Sequence, residues 1–225
     1  MVVSVRIRCL ISGAQALTSS FLDLSFSTRG IWRKLSSGCV HFSLELPMIV
    51  IMAGLPGTGK STVARSLAQR LPAAVLDKDI IRAALFSAAH VEYSRERDDF
   101  CQEIMLHTAT YLLGKNSSLY VILDGRTFSQ RYQRERVFKF CSQLGAKWAM
   151  LECVCSEQTA LRRLEQAAVE QIHPAMNRTP ALYLQIRKTW EPIDGPKLMI
   201  DTEASLSSCA ERATQYLAQI AQQTP

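Results

Sequence analysis

Residues 54–61 read GLPGTGKS, which satisfies GxxxxGK[ST] with Gly54, Gly59, Lys60 and Ser61. Glycines let a backbone curl until successive amide hydrogens converge on one point. The first turn of a following helix adds unpaired N–H groups and the positive end of its dipole. That combination can hold a polyphosphate. In it Lys60 would neutralise the β and γ phosphates, Ser61 Oγ would hold Mg2+, and Leu55, Pro56, Gly57, Thr58 and Thr62 would complete the cradle. Chance supplies the pattern in about one chain of this size per hundred. The alternative is a glycine-rich turn beside a surface lysine.

Carboxylates at strand ends come next. The run LYVIL leads into Asp124-Gly125, and an acid there is well placed for a magnesium shell beside the cradle; the alternative is a turn aspartate. Residues AVL lead into Asp77-Lys78-Asp79-Ile80-Ile81-Arg82. A phosphoryl acceptor needs a carboxylate to receive or orient its hydroxyl proton, and Asp79 is assigned that role with Asp77 in reserve. Either acid could instead cap a helix. Arg82, one turn on, could hold a substrate or phosphate oxygen.

Charge spreading over a migrating phosphoryl group calls for cations. Arg162 and Arg163 are adjacent on a helix, so one of them faces the nucleotide, and Arg163 is the choice; an exposed position on a solvated helix is the alternative. Arg178 lies at the far end of a flap spanning residues 166–178, where periodicity weakens around His173-Pro174. Arg126, Arg131 and Arg134 could line the acceptor side or form a charged outer face.

The elements that must position these residues follow from the hydrophobic pattern. From Met48 onward short apolar runs alternate with amphipathic stretches, as in a parallel sheet covered by helices on both faces. Strands are expected at 48–53, 73–76, 119–123, 147–154 and 197–200, with helices starting near Lys60, Ile80, Ser94, Ser129, Ser156, Pro180 and Ala204. Gly114 and Gly145 are expected to end helices, Thr179-Pro180 and Ser156 to begin them.

A chain of 225 residues that is 48% hydrophobic fits one α/β domain plus an appendage. The net charge of +6 suits a protein that handles phosphates, and nucleic acid is one such partner. Seven scattered cysteines without CxxC pairs point to reduced thiols in the cytoplasm, with Cys153 and Cys155 on one side of a strand as a buried or half-buried pair. His90, His107 and His173 have no partner at ligand spacing, and metal other than Mg2+ is not supported. No apolar run approaches the roughly 18 residues of a membrane helix. Residues 1–47 hold five basic residues, two acids and nine serines. They read as a disordered leader, an organelle-targeting segment or a stretch upstream of the functional start at Met48. The domain proper would then be 48–225.

Taken together, GLPGTGKST, Asp79 to Arg82 as DxxR, the strand ending Leu123-Asp124-Gly125, the Arg162-Arg163-Leu164 helix and Ile200-Asp201-Thr202 resemble the AAA-domain family of small P-loop kinases. That group is similar to polynucleotide 5′-hydroxyl kinases, gluconate kinases, chloramphenicol phosphotransferase and zeta-type toxins. The resemblance covers about two thirds of the chain. It implies a three-layer P-loop NTPase fold with a five-stranded parallel sheet, ATP and Mg2+, a hydroxyl acceptor approaching Asp79, and arginine from the flap. Arg126, where relatives often carry a small or hydroxyl residue, would either build or block an acceptor contact. The competing functions are an ATPase or GTPase switch and an ATP-binding regulatory module. Against the switch, Gly125 stands where AAA+ motors carry the glutamate that activates water.

Overall fold

The computed structural model describes residues 3–9, 20–27, 30–35, 38–42, 46–87, 93–170 and 178–223. The chain divides into two units, Met1–Glu45 and Leu46–Pro225. In the first, β1 (Val3–Cys9), β2 (Ser20–Ser27), β3 (Gly30–Leu35) and β4 (Gly38–Phe42) pair in sequence order as an antiparallel meander.

The second unit alternates strand and helix. In chain order it runs β5 (Met48–Ala53), α1 (Lys60–Ala68), β6 (Ala73–Asp77), α2 (Lys78–Leu85), α3 (Arg95–Lys115), β7 (Tyr120–Asp124) and α4 (Arg131–Leu144). It continues through β8 (Lys147–Val154), α5 (Glu157–Glu170), α6 (Pro180–Lys188), β9 (Leu198–Asp201) and α7 (Leu206–Gln222). The five strands are parallel in the order β6-β7-β5-β8-β9. Each strand begins and ends within about a residue of its expected place, the usual precision of boundaries read from pattern.

Central strand β5 is buried along its whole length, which is why MIVIMA shows no polar alternation. Its odd and even residues face opposite layers. Val50 and Met52 pack with Val63 and Leu67 of α1 and Leu217 of α7. Ile49 and Ile51 pack with Met105 and Ala109 of α3 and Val137 of α4. The chain leaves β5 toward β6 and β7 on one side and later crosses to β8 and β9 on the other. The C-terminal end of β5 is therefore a switch point, where diverging connections open a crevice.

Helix termini follow local chemistry. Gly145 takes φ 66° as the C-cap of α4, Ser156 Oγ accepts from Thr159 N, and Thr179 caps α6 with Pro180 at its start. Gly114 differs from expectation. It lies inside the last turn of α3, which runs to Lys115 with Asn116 as its C-cap, because Leu113 still packs in the core and holds the helix together. Helix α5 extends through Glu170, and the rest of the expected flap, 171–177, lies outside the described residues, as do His90 and His173. No helix of the described residues is long and apolar enough to cross a membrane.

Arg134 corrects another expectation. It is not on the acceptor side: buried on α4, it donates to the carbonyls of Phe128 (2.9 Å), Glu191 (3.3 Å) and Pro192 (3.0 Å). Phe128 is buried at φ 52°, a costly conformation for a bulky residue. One guanidinium thus fixes the segment after β7 and the segment after α6. Arg131 is exposed and 3.7 Å from Asp194, the charged outer face of the alternative reading. Arg134→Ala should leave three carbonyls without their donor and cost about 2–4 kcal/mol. Urea unfolding of variant and parent measures it, and a loss under about 0.5 kcal/mol would refute the role.

Candidate active site

The phosphate-loop sequence spans the gap between β5 and α1. Gly54 has φ 138°, and a Cβ there would lie 2.4 Å from the Cys153 carbonyl oxygen. Glycine is therefore required by the closeness of β8 as well as by the turn. Gly54 N donates to Thr127 O at 3.1 Å, which ties the loop to the segment after β7. Gly59, at φ 81°, starts α1. Lys60 turns back under the loop, and its Nζ donates to the carbonyls of Gly54 (2.8 Å) and Leu55 (2.7 Å). Burial lowers its pKa to about 8, with Arg178 acting in the same direction and Asp124 against it.

Beside this lysine are two polar atoms whose positions suit a magnesium shell. Ser61 Oγ and Asp124 Oδ1 are both buried with no hydrogen-bond partner among the described residues. Such orphans are uncommon in protein interiors. Two oxygen donors, one of them a carboxylate, fit a hard cation that keeps several waters. Thr62 is exposed at the outer rim of α1.

Asp77 and Asp79 separate cleanly. Asp77 Oδ1 accepts from Asp79 N (2.8 Å) and Ile80 N (3.4 Å), so this acid caps α2. Burial and the neighbouring Asp124 push its carboxyl above the ordinary range. Asp79 instead faces cations with both oxygens. Oδ1 meets Arg82 (3.0 Å) and Lys78 (3.3 Å), and Oδ2 meets Arg178 at 2.7 Å. Burial opposes its ionisation, but Lys78, Arg178 and Arg82 together hold the pKa below the usual carboxylate value.

Arg82 is buried between Asp79 and Asp98. Arg126 is buried too, and its fork points into α3: it bonds the side chains of Asp99 and Gln102, the carbonyl of Asp98 (3.3 Å) and Tyr132 OH (3.2 Å). Its charge anchors the start of α3 while the residue also lines the cavity beside the loop. Arg163 and Arg162 part as adjacent helical residues must. Arg162 is exposed, whereas Arg163 donates to Thr202 Oγ1 and Thr202 O, both at 2.9 Å. Thr202 Oγ1 donates to Thr58 O at 3.0 Å, so the Arg163 chain ends on the loop itself.

Three residues of the site had no role in the sequence reading, although Lys78 and Thr202 stood in its motifs. Lys78 is buried between Asp79 and Asp98 (3.0 Å), Asp98 joins Lys78 to Arg82, and Thr202 joins α5 to the loop. For Asp98 the available signal was the charged run RERDDF, which begins α3 after the Ser94 cap. Lys78 and Asp98 border a cavity of about 150 Å3 that is also lined by Lys60, Asp79, Arg126 and Arg178, among others. A larger groove of about 510 Å3 runs between α3 and α4, past His107 and Tyr111, away from the loop. Cys153 is buried beneath the loop with its thiol pushed up to about 12 by burial, and Cys155 is half-buried, as an inert pair requires.

Residues 49–192 match the AAA domain family, a span that contains the loop, Asp79, Asp98, Asp124, Arg163 and Arg178. The chain belongs to that family. Cytidylate kinase of Yersinia enterocolitica serotype O:8 / biotype 1B is 27% identical over 115 residues, 51% of this chain and 50% of that protein. The chain thus spans about half the length of the curated relatives it matches. Among solved structures, one from Chloroflexus aurantiacus j-10-fl superposes with a TM-score of 0.60 at 23% identity, covering 76% of this chain and 98% of the other. The Mycobacterium tuberculosis APS kinase CysC in complex with AMPPNP and APS gives 0.53 at 19% identity, covering 77% and 98%. A gluconokinase from Sinorhizobium meliloti 1021 gives 0.55 at 15%, covering 80% and 95%. At these identities the likeness establishes the fold of this AAA-domain protein.

Burial also lowers Lys78 to about 8, with Asp79 opposing and Arg82 assisting. Between that value and the ordinary lysine value of 10.5 the unfolded chain keeps a proton that the folded one has released, so stability rises with pH across this window. Lys78→Met should flatten the rise by up to about 1.4 kcal/mol per pH unit relative to the parent. Equal slopes in denaturant titrations from pH 8 to 10 would count against a buried Lys78.

Proposed function

We propose that the unit from Leu46 onward is an ATP-dependent kinase that transfers the γ-phosphoryl group to a hydroxyl acceptor. The observation that carries this reading is the trio beside the loop: the buried ammonium of Lys60 with the orphaned oxygens of Ser61 and Asp124. Amides of residues 54–62 and Lys60 would hold the polyphosphate, and Ser61 and Asp124 would take the bound magnesium. When bound, Mg2+ neutralises charge on the β and γ phosphates. Arg163 steadies the loop through Thr202, and Arg178 lies against Asp79 where charge would build on the migrating group.

Asp79 serves this reaction as an orienting carboxylate. With Lys78, Arg82 and Arg178 on its oxygens it is ionised at neutral pH and holds three cations at the acceptor end of the cleft. The names of similar proteins range from cytidylate kinase to gluconokinase and do not choose an acceptor. A nucleic-acid 5′-hydroxyl remains the alternative to a small molecule.

A reading as a hydrolase meets an obstacle at Gly125. Its φ is 82°, and a Cβ there would lie 2.6 Å from Asp77 Oδ1 and 2.8 Å from Lys78 N. The end of β7 packs so tightly on the α2 cap that a water-activating glutamate after Asp124 has no room.

Calorimetry with ATP and Mg2+ should give saturable binding, and Lys60→Ala should weaken it by about tenfold to a hundredfold, the range for losing a charged hydrogen bond. Undiminished binding by that variant would overturn the cradle. Asp79→Asn should keep ATP binding and lower acceptor-dependent ADP formation by at least about 100-fold. Unchanged turnover would remove Asp79 from the mechanism.

A further inference from the structure

We infer that Thr202 is a positioning residue for the nucleotide: its hydroxyl, oriented by Arg163, holds the Thr58–Gly59 peptide so that the Gly59 N–H is left to the polyphosphate. The inference rests on the kinase reading above and deepens it at the loop. Thr202 follows β9 directly and lies outside residues 49–192, the span that matches the family. Its surroundings are clamped to α5. Arg163 Nη1 and Nη2 donate to Thr202 Oγ1 and O, both at 2.9 Å, and the next residue, Glu203, accepts from Ser156 (2.7 Å) and Thr159 (2.5 Å).

The hydroxyl has one proton and two carbonyls within reach, Thr58 O at 3.0 Å and Val154 O at 3.2 Å. Arg163 brings an N–H to a lone pair of Oγ1, so the proton must point to one of them. Val154 O already accepts the Thr202 N–H at 2.9 Å, whereas Thr58 O has no other donor among the described residues. The proton therefore serves Thr58 O.

A trans peptide unit is planar and carries its C=O and N–H on opposite sides. Holding Thr58 O on Thr202 thus turns the Gly59 N–H away from β9. That N–H meets no acceptor among the described residues, which is the condition of a donor kept for a ligand. Close packing fixes the separation as well. Gly59 has φ 81°, and a Cβ there would lie 3.3 Å from Thr202 Cβ and Oγ1. Both ends of the Arg163 fork grip Thr202, so this arginine acts through the threonine and contributes no direct contact to the phosphates.

Calorimetry on the full chain with Mg2+ compares ATP and ADP, which share the α and β phosphates that loop amides cradle. Thr202→Val keeps the shape of the side chain and removes the hydroxyl. It should weaken both nucleotides by the same factor, about threefold to tenfold, and Thr202→Ser should keep most of the parent's affinity. Parent-like affinity in Thr202→Val would overturn the inference and leave the kinase reading standing. So would a loss confined to ATP, which marks a γ-phosphate contact, or a Thr202→Ser as weak as Thr202→Val, which credits the methyl group. Arg163→Met should weaken both nucleotides in the parent and add nothing in Thr202→Val, because the two residues act in series. A full further loss in that background would put Arg163 on the nucleotide and overturn the inference. Melting curves report folding. If Thr202→Val does not fold, Arg163→Met decides: equal weakening of ATP and ADP supports the inference, and unchanged affinity overturns it. A parent chain that binds no ATP overturns the kinase reading itself and the inference with it.

Discussion

A positively charged group buried at the end of the central strand constrains the rest of this molecule. Lys60 has left water, and the groups that receive it are two carbonyls of its own loop. That is tolerable only while the loop keeps its curl, and the curl in turn needs β8 pressed against Gly54 and the segment after β7 bonded to its amide. The apolar layers on both faces of β5 fix those neighbours rigidly. Packing far larger than the site thus holds a few polar atoms in place, as pre-organised electrostatics requires.

A second constraint operates on the acceptor side. Lys78, Arg82, Arg126 and Arg178 meet Asp79, Asp98 and Asp99 in a continuous network that joins α2, α3, the end of β7 and the approach to α6. Burying so many charges is expensive, and mutual pairing makes it sustainable. The network sets directions as well as energies. Arg126 anchors α3, and through its carbonyl and the neighbouring cations Asp98 is turned toward the cavity.

Much of the fold was legible because its signals are local. Continuous apolar runs gave the five strands of the second unit to within about a residue, and Gly145, Thr179 and Ser156 marked helix ends by their own conformational or capping chemistry; the four strands β1–β4 were not among the expected ones. Gly114 misled, since a glycine in the last turn of a helix is kept there when the residue before it still packs. Arg134 misled for a related reason: its charge suggested a surface or a substrate, and its partners proved to be backbone carbonyls that no sequence pattern announces.

By itself the sequence determined the alternation of strand and helix, the glycine-rich loop between β5 and α1, and the strand-end positions of Asp77 and Asp124. Each depends on chemistry carried within a few consecutive residues. Only the tertiary structure decided which acid is a cap, which arginine of the Arg162-Arg163 pair turns inward, and that Lys78 and Asp98 belong to the cleft. The reason is distance along the chain: Arg178 meets Asp79 across 99 residues, and Arg163 reaches Thr202 across 39. Those meetings follow from the strand order β6-β7-β5-β8-β9, a property of the folded sheet and of no single segment.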